Sequence, residues 1–293
     1  MTMVRTERVA ATPGRASRLL TFLRRQKVIA FGLGVLVAML GIAILAPFIL
    51  PDPKAINPIY RLRPPSADFW FGTDHLGRSI LSRTLHGTRV SLAVGILVAV
   101  VTTGLGVVIG LMSGFLRRLD GIAMRIMDGV MAIPGVLLAI ALMSLFGSSL
   151  VNVIIAISIP EIPRMARLVR SAVLSIREQP YVDAARTNGT RLPRLLRRHV
   201  LPNAMAPILV QATYVFAAAM IVEAVLSFLG AGTPPEVPSW GNMMAEGRQY
   251  LQRAPWIAAF PGLFLAFLVL TVNLVGDALR DVLDPRLAAR GHK

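Results

Sequence analysis

The polar residues with the most informative types and spacing lie in one basic stretch, residues 162–202, between two strongly apolar segments. Asp183 is followed directly by Ala184 and Ala185, and Gly189 comes six positions after Asp183. A carboxylate in the first turn of a helix is stabilised by the free N–H groups and the dipole there, and two alanines let a neighbouring surface approach closely. These residue types indicate recognition of another surface rather than the making or breaking of bonds.

The composition excludes several other kinds of site. The chain has no cysteine, so it forms no disulfide or zinc ribbon and has no thiol chemistry. The phosphate-binding pattern Gly-x4-Gly-Lys-Ser/Thr does not occur, so the chain binds no ATP through a P-loop of its own. The four histidines are far apart and form no ligand-spaced pair: His75, His86, His199 and His292. We therefore expect no catalytic residue, metal or cofactor on this chain.

The basic stretch is predicted to fold as two short helices around a glycine. Gln179 precedes a proline, and such residues resist helical angles, so a helix arriving from the apolar segment ends there. A new helix starts at Tyr181 and ends at Gly189, which is free to take a positive φ. Thr190 is placed to cap the second helix, with Pro193 in its first turn, where proline is tolerated.

The second of these helices is amphipathic and leads through Leu201 and Pro202 into the next apolar segment. Its two faces are Leu192, Leu195, Leu196 and Val200 on one side and Arg191, Arg194 and Arg198 on the other. Before the first helix, Arg164, Arg167 and Arg170 recur every third residue and share one helix face. A solvated connector with arginines facing lipid would show the same pattern, so the residues alone leave both interpretations open.

The overall composition is that of a protein that crosses a membrane several times. Hydrophobic residues make up 55 % of the chain and charged residues 16 %, with a mean hydropathy of +0.64, whereas a soluble domain has about 25 % charged residues. The net charge of +16 would also suit a nucleic-acid-binding protein. The positive residues flank the apolar segments, however, where anionic lipid headgroups lie, so we expect membrane lipid as a partner and no nucleic acid.

The apolar segments predict an all-α, polytopic membrane protein with six transmembrane helices. They are residues 28–50, 90–116, 129–146, 150–162, 205–229 and 256–275. The first would be about 35 Å long against a hydrocarbon core of about 30 Å, which is too long for the core of a cleaved signal peptide. The fourth is short and is expected to continue as a helix into the basic stretch. In the second, Gly106 and Gly110 form a small-xxx-small pair that lets helix backbones approach closely.

The distribution of positive residues indicates the orientation. Six spans put both ends on one side, and 23 of the 31 lysines and arginines fall on that side. Cytoplasmic loops carry the excess of Lys and Arg, so we expect both termini in the cytoplasm. The predicted division is a basic cytoplasmic segment 1–27, a first transmembrane helix 28–50, an extracytoplasmic loop 51–89, a five-helix core 90–277 that contains the cytoplasmic loop 162–202, and a cytoplasmic tail 278–293.

Three polar residues fall inside or at the ends of apolar segments. Glu223 lies within the fifth segment, where exposure to lipid would be costly, so it should face the bundle interior, a partner subunit or a water-filled path. For Glu223 we favour a structural hydrogen bond over contact with a substrate ammonium group. Glu161 lies at the proline-broken end of the fourth segment and Asn152 near its outer end, and either is consistent with a structural role.

The order of residues in the basic stretch resembles a known signature. Asp183-Ala184-Ala185-x-x-x-Gly189, followed by His199-x-Leu201-Pro202, resembles the EAA signature of the membrane subunits of bacterial ABC importers. Asp183 stands where that signature usually has Glu, and His199 where it usually has a branched aliphatic residue. The resemblance implies that this loop, including Arg186, is the coupling region that sits in a groove of an ATPase subunit.

Further segments are similar to the oligopeptide/dipeptide permease family, in particular its shorter "C"-type membrane subunit. They are Phe71–Arg78 with Arg89–Leu92, Ser227–Gly232 with Pro238–Gly241, and Asn273–Asp277 with Asp284–Leu287. Ser79 stands where the family commonly has Asp. The resemblance extends over about residues 28–290 and implies the type I ABC importer permease fold.

The resemblance also implies a heteromeric importer in the bacterial cytoplasmic membrane. This chain would pair with a second permease subunit, two cytoplasmic ATPase subunits that hold ATP and Mg²⁺, and an extracytoplasmic peptide-binding protein. A permease for nickel or another small solute of the same family is an alternative. An ion-coupled secondary transporter would show paired intramembrane carboxylates or inverted repeats, and a passive scaffold would not need the two-helix arrangement between Asp183 and Pro202.

Overall fold

The computed structural model describes residues 26–283, and within that range the chain is built from helices. The helices are α1 Lys27–Ile49, α2 Ile80–Phe115, α3 Arg117–Met131, α4 Gly135–Phe146, α5 Leu150–Ile176, α6 Pro180–Thr187, α7 Leu192–Leu195, α8 Leu201–Phe228, α9 Trp240–Gly247 and α10 Trp256–Leu283. A π-helical stretch, Leu196–Val200, joins α7 to α8. The predicted all-α class is confirmed, while most of segments 1–27 and 278–293 lies outside the described residues.

Within residues 26–283, four helices are long and apolar enough to cross a membrane: α1, α2, the continuous run Leu192–Phe228, and α10. Helix α10 continues to Leu283, beyond the predicted end at residue 275, and two other helices begin earlier than hydropathy predicts. Helix α2 begins at Ile80 rather than at residue 90, because Ser79 accepts a hydrogen bond from the N–H of Ser82 and so caps the helix before the apolar run begins. Helix α8 begins at Leu201 rather than at Met205.

The predicted third span, residues 129–146, is broken in the structure. Helices α3 and α4 meet at a bend of 85°, because Pro134 disfavours helical angles at Ile133 and lies at the start of α4. Helix α4 has 12 residues and is therefore about 18 Å long, shorter than a hydrocarbon core of about 30 Å. The count of six spans thus stays a prediction, since a third crossing would require the bent pair α3 and α4 to act together as one span.

The predicted continuation of the fourth span is confirmed. Helix α5 runs unbroken from Leu150 to Ile176 and contains Pro160 and Pro163. It therefore joins the apolar segment directly to the basic stretch.

Helices α2 and α5 pack closely through a stripe of three glycines. A Cβ at Gly110 would lie 2.6 Å from the carbonyl oxygen of Ala166, and one at Gly114 would lie 2.6 Å from a methyl carbon of Val173. A Cβ at Gly106 would lie 2.5 Å from the side chain of Met165. The Gly106–Gly110 pair predicted from sequence is confirmed as a packing device, and Gly114 extends it by one more turn.

The loop of residues 51–79 and α9 cover the first turns of α2. After the predicted orientation we call this loop the outer loop, this end of α2 its outer end, and the opposite end its inner end. The indole of Trp240 is fully buried and donates a hydrogen bond of 2.9 Å to the carbonyl oxygen of Thr84. The indole of Trp256 donates one of 3.1 Å to the carbonyl oxygen of Thr73. The ring of Phe71 stacks on that of Phe260, with centroids 4.0 Å apart. These contacts fix the loop that precedes α2 against the helices that follow α8.

Candidate functional site

The basic stretch forms the two short helices that its sequence predicts. Helix α6 begins at Pro180, directly after extended Gln179, and Asp183 lies in its first turn. Gly189 has a φ of +76°, in the left-handed region that favours glycine. A Cβ at Gly189 would meet no heavy atom within 4 Å, so the backbone angle, and not the surrounding space, requires glycine here.

Helix α6 leaves most of its surface uncovered by the rest of the chain. Val182 is its one fully buried residue, whereas Asp183, Ala184 and Arg186 are exposed and Ala185 is half-buried. The side chains of Asp183 and Arg186 lie 3.8 Å apart and are 66 % and 45 % exposed. Short helices depend on tertiary packing for their stability, so an eight-residue helix with one buried side chain is suited to binding another surface.

The second helix has the predicted apolar and basic faces. Leu195 and Val200 are buried, and the arginines at 191, 194, 197 and 198 are exposed. The predicted cap at Thr190 is wrong, because the helix begins one residue later: Arg191 occupies the cap position and makes no side-chain cap hydrogen bond. Leu201 and Pro202 lie in the first turn of α8, directly after the π-helical stretch.

The three evenly spaced arginines of α5 bind carboxylates. Arg167 forms an ion pair with Asp128 of α3, and Arg170 forms a two-bond pair with Asp120, in which Nη2 lies 2.6 Å from Oδ2. Two of these arginines therefore join α3 to α5 beside the basic stretch. The sequence analysis did not predict these pairs, whose partners are 39 and 50 positions apart.

Helix α6 is also in contact with the inner end of α2, which the sequence reading did not predict. Arg177, in the turn between α5 and α6, donates a hydrogen bond of 2.9 Å from Nη1 to the carbonyl oxygen of Gly114. The guanidinium of Arg186 lies 4.8 Å from the ring centroid of Phe115, within the range of a cation–π contact. No periodicity in the sequence signals these contacts, since the partners are more than sixty residues apart.

Glu223 is almost fully buried and is held by neighbouring hydroxyl groups. Its Oε1 accepts a hydrogen bond of 2.9 Å from Ser227 and a longer one of 3.4 Å from Thr233, and its relative exposure is 1 %. Asn242 of α9 donates in turn to Thr233 and to the carbonyl oxygen of Pro234. The geometry is that of a structural link between the outer end of α8 and the loop before α9.

Asn152 and Glu161 also make local structural contacts. The amide of Asn152 donates to the carbonyl oxygens of Phe146 at 2.8 Å and Gly147 at 3.0 Å, which satisfies groups that helix α4 leaves free at its end. Glu161 is 9 % exposed and accepts a hydrogen bond of 2.8 Å from Arg164. The three candidate polar residues therefore lie in separate contacts and do not line one shared cavity.

A group of four charged residues, two buried and two half-buried, lies at the outer end of α2, and we call it the outer ion cluster: Asp74, Arg78, Arg83 and Glu246. Arg83 is 1 % exposed and lies 2.8 Å from Asp74 and 2.6 Å from Glu246, and Arg78 reaches the same two carboxylates at 2.6 Å and 2.8 Å. Two positive and two negative charges balance, so the burial is compensated.

This cluster is better read as ion pairing than as a metal site. Asp74, His75 and Glu246 place ligand atoms within 4.8 Å of one another. Both carboxylates, however, already accept hydrogen bonds from guanidinium groups, so a cation would first have to displace an arginine. The sequence motif Phe71–Arg78 contains half of the cluster, and the contribution of Glu246 could not be read from sequence spacing.

Comparison with protein families identifies the type of chain to which this geometry belongs. Residues 106–289 match the family described as binding-protein-dependent transport system inner membrane component. Residues 17–65 match the N-terminal transmembrane domain of oligopeptide transport permease C. Together the two matches extend over most of the chain and include both the docking stretch and the first span.

Individual relatives and solved structures agree with these matches. The chain is 49 % identical over 267 residues to a probable peptide ABC transporter permease protein of Sinorhizobium fredii, covering 91 % of this chain and 92 % of the relative. It is 42 % identical over 267 residues to the dipeptide transport system permease protein DppC of Alkalihalophilus pseudofirmus, covering 90 % and 88 %. A chain of the inward-facing MetNI methionine ABC transporter superposes with a TM-score of 0.60 at 19 % identity, covering 70 % of this chain and 98 % of that one, which establishes the fold.

Proposed function

This chain belongs to the family of binding-protein-dependent transport system inner membrane components, and on that premise we propose that it is the permease subunit through which an ATP-driven importer moves short peptides into the cytoplasm. The observation that carries the proposal is helix α6, which has one buried side chain and exposes Asp183, Ala184 and Arg186. A surface that the chain itself leaves uncovered, at the end of a helix continuous with a membrane segment, is suited to receiving force from a partner.

The proposed partner of this surface is a cytoplasmic ATPase subunit. The docking stretch would run from Asp183 through Gly189 to Pro202, with Arg186 beside Asp183. ATP and Mg²⁺ would be held by the two ATPase subunits, and this chain would be the non-catalytic path. Binding of ATP can shift the spans between inward-open and outward-open states only through a difference in its affinity for the two.

The remaining partners follow from the same assembly. A second permease subunit would complete the path across the membrane, and an extracytoplasmic binding protein would deliver the peptide to the outer mouth. Both termini would then lie in the cytoplasm, on the side of the docking stretch, where the positive residues are concentrated.

The substrate is tested with the complete transporter. The chain is purified with its partner subunits, reconstituted into proteoliposomes, and supplied with the binding protein and peptides of two to six residues. We expect short peptides to stimulate ATP hydrolysis and to accumulate inside the vesicles. Stimulation by Ni²⁺ or another small solute, with none by peptides, would contradict the peptide assignment while leaving the importer intact.

The docking surface is tested by Asp183→Arg. Reversing the charge in the first turn of α6 opposes the helix dipole and places a long side chain on the docking face. We expect the ATPase subunits to be lost when the membrane complex is purified. The matched control is Asp68→Arg, an exposed acid in the outer loop, and equal recovery of the ATPase with Asp183→Arg and with this control would contradict the proposed docking role.

A further inference from the structure

Helix α2 is an unbroken rod that is longer than the membrane is thick. It has 36 residues, which gives a length of about 54 Å against a hydrocarbon core of about 30 Å. Its sequence contains no proline, the commonest cause of sharp kinks in helices. Both ends therefore project beyond the apolar region, where polar contacts hold each of them.

The inner end of α2 is held by the turn that leads into the docking helix. The carbonyl oxygen of Gly114 belongs to the last turn of α2, whose carbonyl groups lack partners within the helix, and Arg177 donates to it at 2.9 Å. A cation at this position is also favoured by the helix dipole. Beside it, the guanidinium of Arg186 covers the ring of Phe115 at 4.8 Å. We call these contacts the inner clamp.

The outer end of α2 is held by three other segments. Arg83 binds Asp74 of the outer loop and Glu246 of α9. The hydroxyl of Ser82 donates to the carbonyl oxygen of Pro51, directly after α1. The first turns of α2 are therefore joined to the outer loop, to the end of α1 and to the segment that follows α8.

Between its ends, α2 is packed closely along α5. The stripe from Gly106 to Gly114 places the backbone of α2 against residues Met165 to Val173 of α5. Helix α5 continues into the docking stretch, so a displacement of α6 acts on α2 both through α5 and through the inner clamp. A helix hydrogen-bonded along its whole length does not shorten, so a shift at one end must appear at the other.

We propose that α2 carries the movement of the docking helix α6 across the membrane to the outer loop and α9, with Arg177 and Phe115 as the positioning residues that join it to the docking stretch. This inference rests on the proposed function and names the internal route by which ATP-driven movement reaches the outer mouth. Neither residue needs to contact peptide or ATPase.

The test uses the complete transporter in proteoliposomes and measures peptide molecules imported per ATP hydrolysed. The double variant Phe115→Ala with Arg177→Gln removes the inner clamp without substituting any residue of α6, and recovery of the ATPase subunits on purification checks that docking itself is retained. Coupling between sites typically corresponds to a 5-fold to 150-fold effect, so we expect the ratio to fall by about fivefold or more while hydrolysis continues. The matched control Arg118→Gln alters an exposed arginine at the same end of the membrane and should leave the ratio unchanged.

Two outcomes would overturn the proposal. If the double variant lowers import and hydrolysis in proportion, the ratio stays constant, and these residues only support the fold. The second outcome comes from a bridging experiment, which is possible because this chain has no cysteine of its own. The double variant Phe115→Cys with Arg177→Cys lacks the inner clamp, and a short bis-maleimide then joins the two cysteines. We expect this bridge to restore the ratio of peptide imported to ATP hydrolysed. A bridged protein whose ratio remains low contradicts a mechanical role. If the unaltered complex shows no response to peptide at all, the proposed function fails instead, and the two failures are thereby distinguished.

Discussion

The two ends of this molecule satisfy their polar groups in opposite ways. At the outer end, Arg83 and Asp74 are 1 % and 0 % exposed and complete their ion pairs within the chain. At the inner end, Asp183 and Arg186 are 66 % and 45 % exposed and lie 3.8 Å apart, a geometry that contributes little to stability. Each pair joins an arginine to an aspartate, and the two pairs differ in how much of their side chains is buried.

This difference separates the end that is held by contacts within the chain from the end that we propose is completed by a partner. A buried ion cluster is costly to break, because the remaining charges stay desolvated, so the outer end is fixed when the chain folds. Helix α6 should lose little stability when Asp183 or Arg186 is changed, because both side chains are exposed and solvent replaces the contact. Variants of the outer end should therefore affect stability, whereas variants of the inner end should affect function with little loss of stability.

The largest effect on stability is expected for Arg83→Met. The change keeps an unbranched apolar stem but removes the guanidinium, so buried Asp74 and half-buried Glu246 lose one of their two partners. Breaking a buried pair typically costs about 3–5 kcal/mol. The measurement is the free energy of unfolding of the purified chain in mixed micelles. Arg89→Met, an exposed arginine of the same helix, is the control, and a typical surface substitution changes stability by less than about 0.5 kcal/mol. Equal effects of the two would show that the outer ion cluster does not hold this end.

A smaller effect is expected for Gly110→Ala, in the region between the two ends. The added Cβ would lie 2.6 Å from the carbonyl oxygen of Ala166, so α2 and α5 must separate, and overpacking typically costs about 1–3 kcal/mol. The control is Gly104→Ala, where the added Cβ meets no atom within 4 Å. There alanine should stabilise the helix by up to about 1 kcal/mol. Opposite signs for two glycines six residues apart would confirm that α2 packs on α5 through one face.

Whether a feature of the fold or of the candidate site could be predicted from the sequence depended on how far apart along the chain its residues lie. The turn at Gly189 and the apolar face of Leu195 and Val200 are local, so spacing of residue types was sufficient to predict them. The Gly106–Gly110 pair was also predicted, since a small-xxx-small pattern is read within a single helix. The all-α class followed from composition and from apolar segments of membrane length.

The features that were missed join distant parts of the chain. Glu246 meets Arg83 across 163 positions, and Arg177 meets Gly114 across 63 positions, so no local pattern signals either contact. The bend at Pro134 was underestimated because hydropathy averages across a break that backbone angles decide. The early start of α2 at Ile80 was missed for a related reason: its first turns are polar and are buried by the outer loop and α9, not by lipid.

The smallest effect on stability, with a large effect on transport, is expected for Gly189→Val. At a φ of +76° an L-residue is strained by roughly 1–2 kcal/mol, and a β-branched residue tolerates this angle least. The strain is local to an exposed turn, so the chain should still fold and insert, but α6 and the second helix would change their relative angle and no longer fit one groove. We expect peptide uptake to be lost, measured beside the free energy of unfolding.

Gly189→Asn is the decisive control, because asparagine adopts left-handed angles more readily and no atom lies within 4 Å of the added Cβ. Uptake retained by the asparagine variant and lost by the valine variant would assign the effect to the backbone angle. Loss in both would point to the added side chain obstructing the docking surface, and normal uptake in both would mean that this turn does not set the angle between the docking helices.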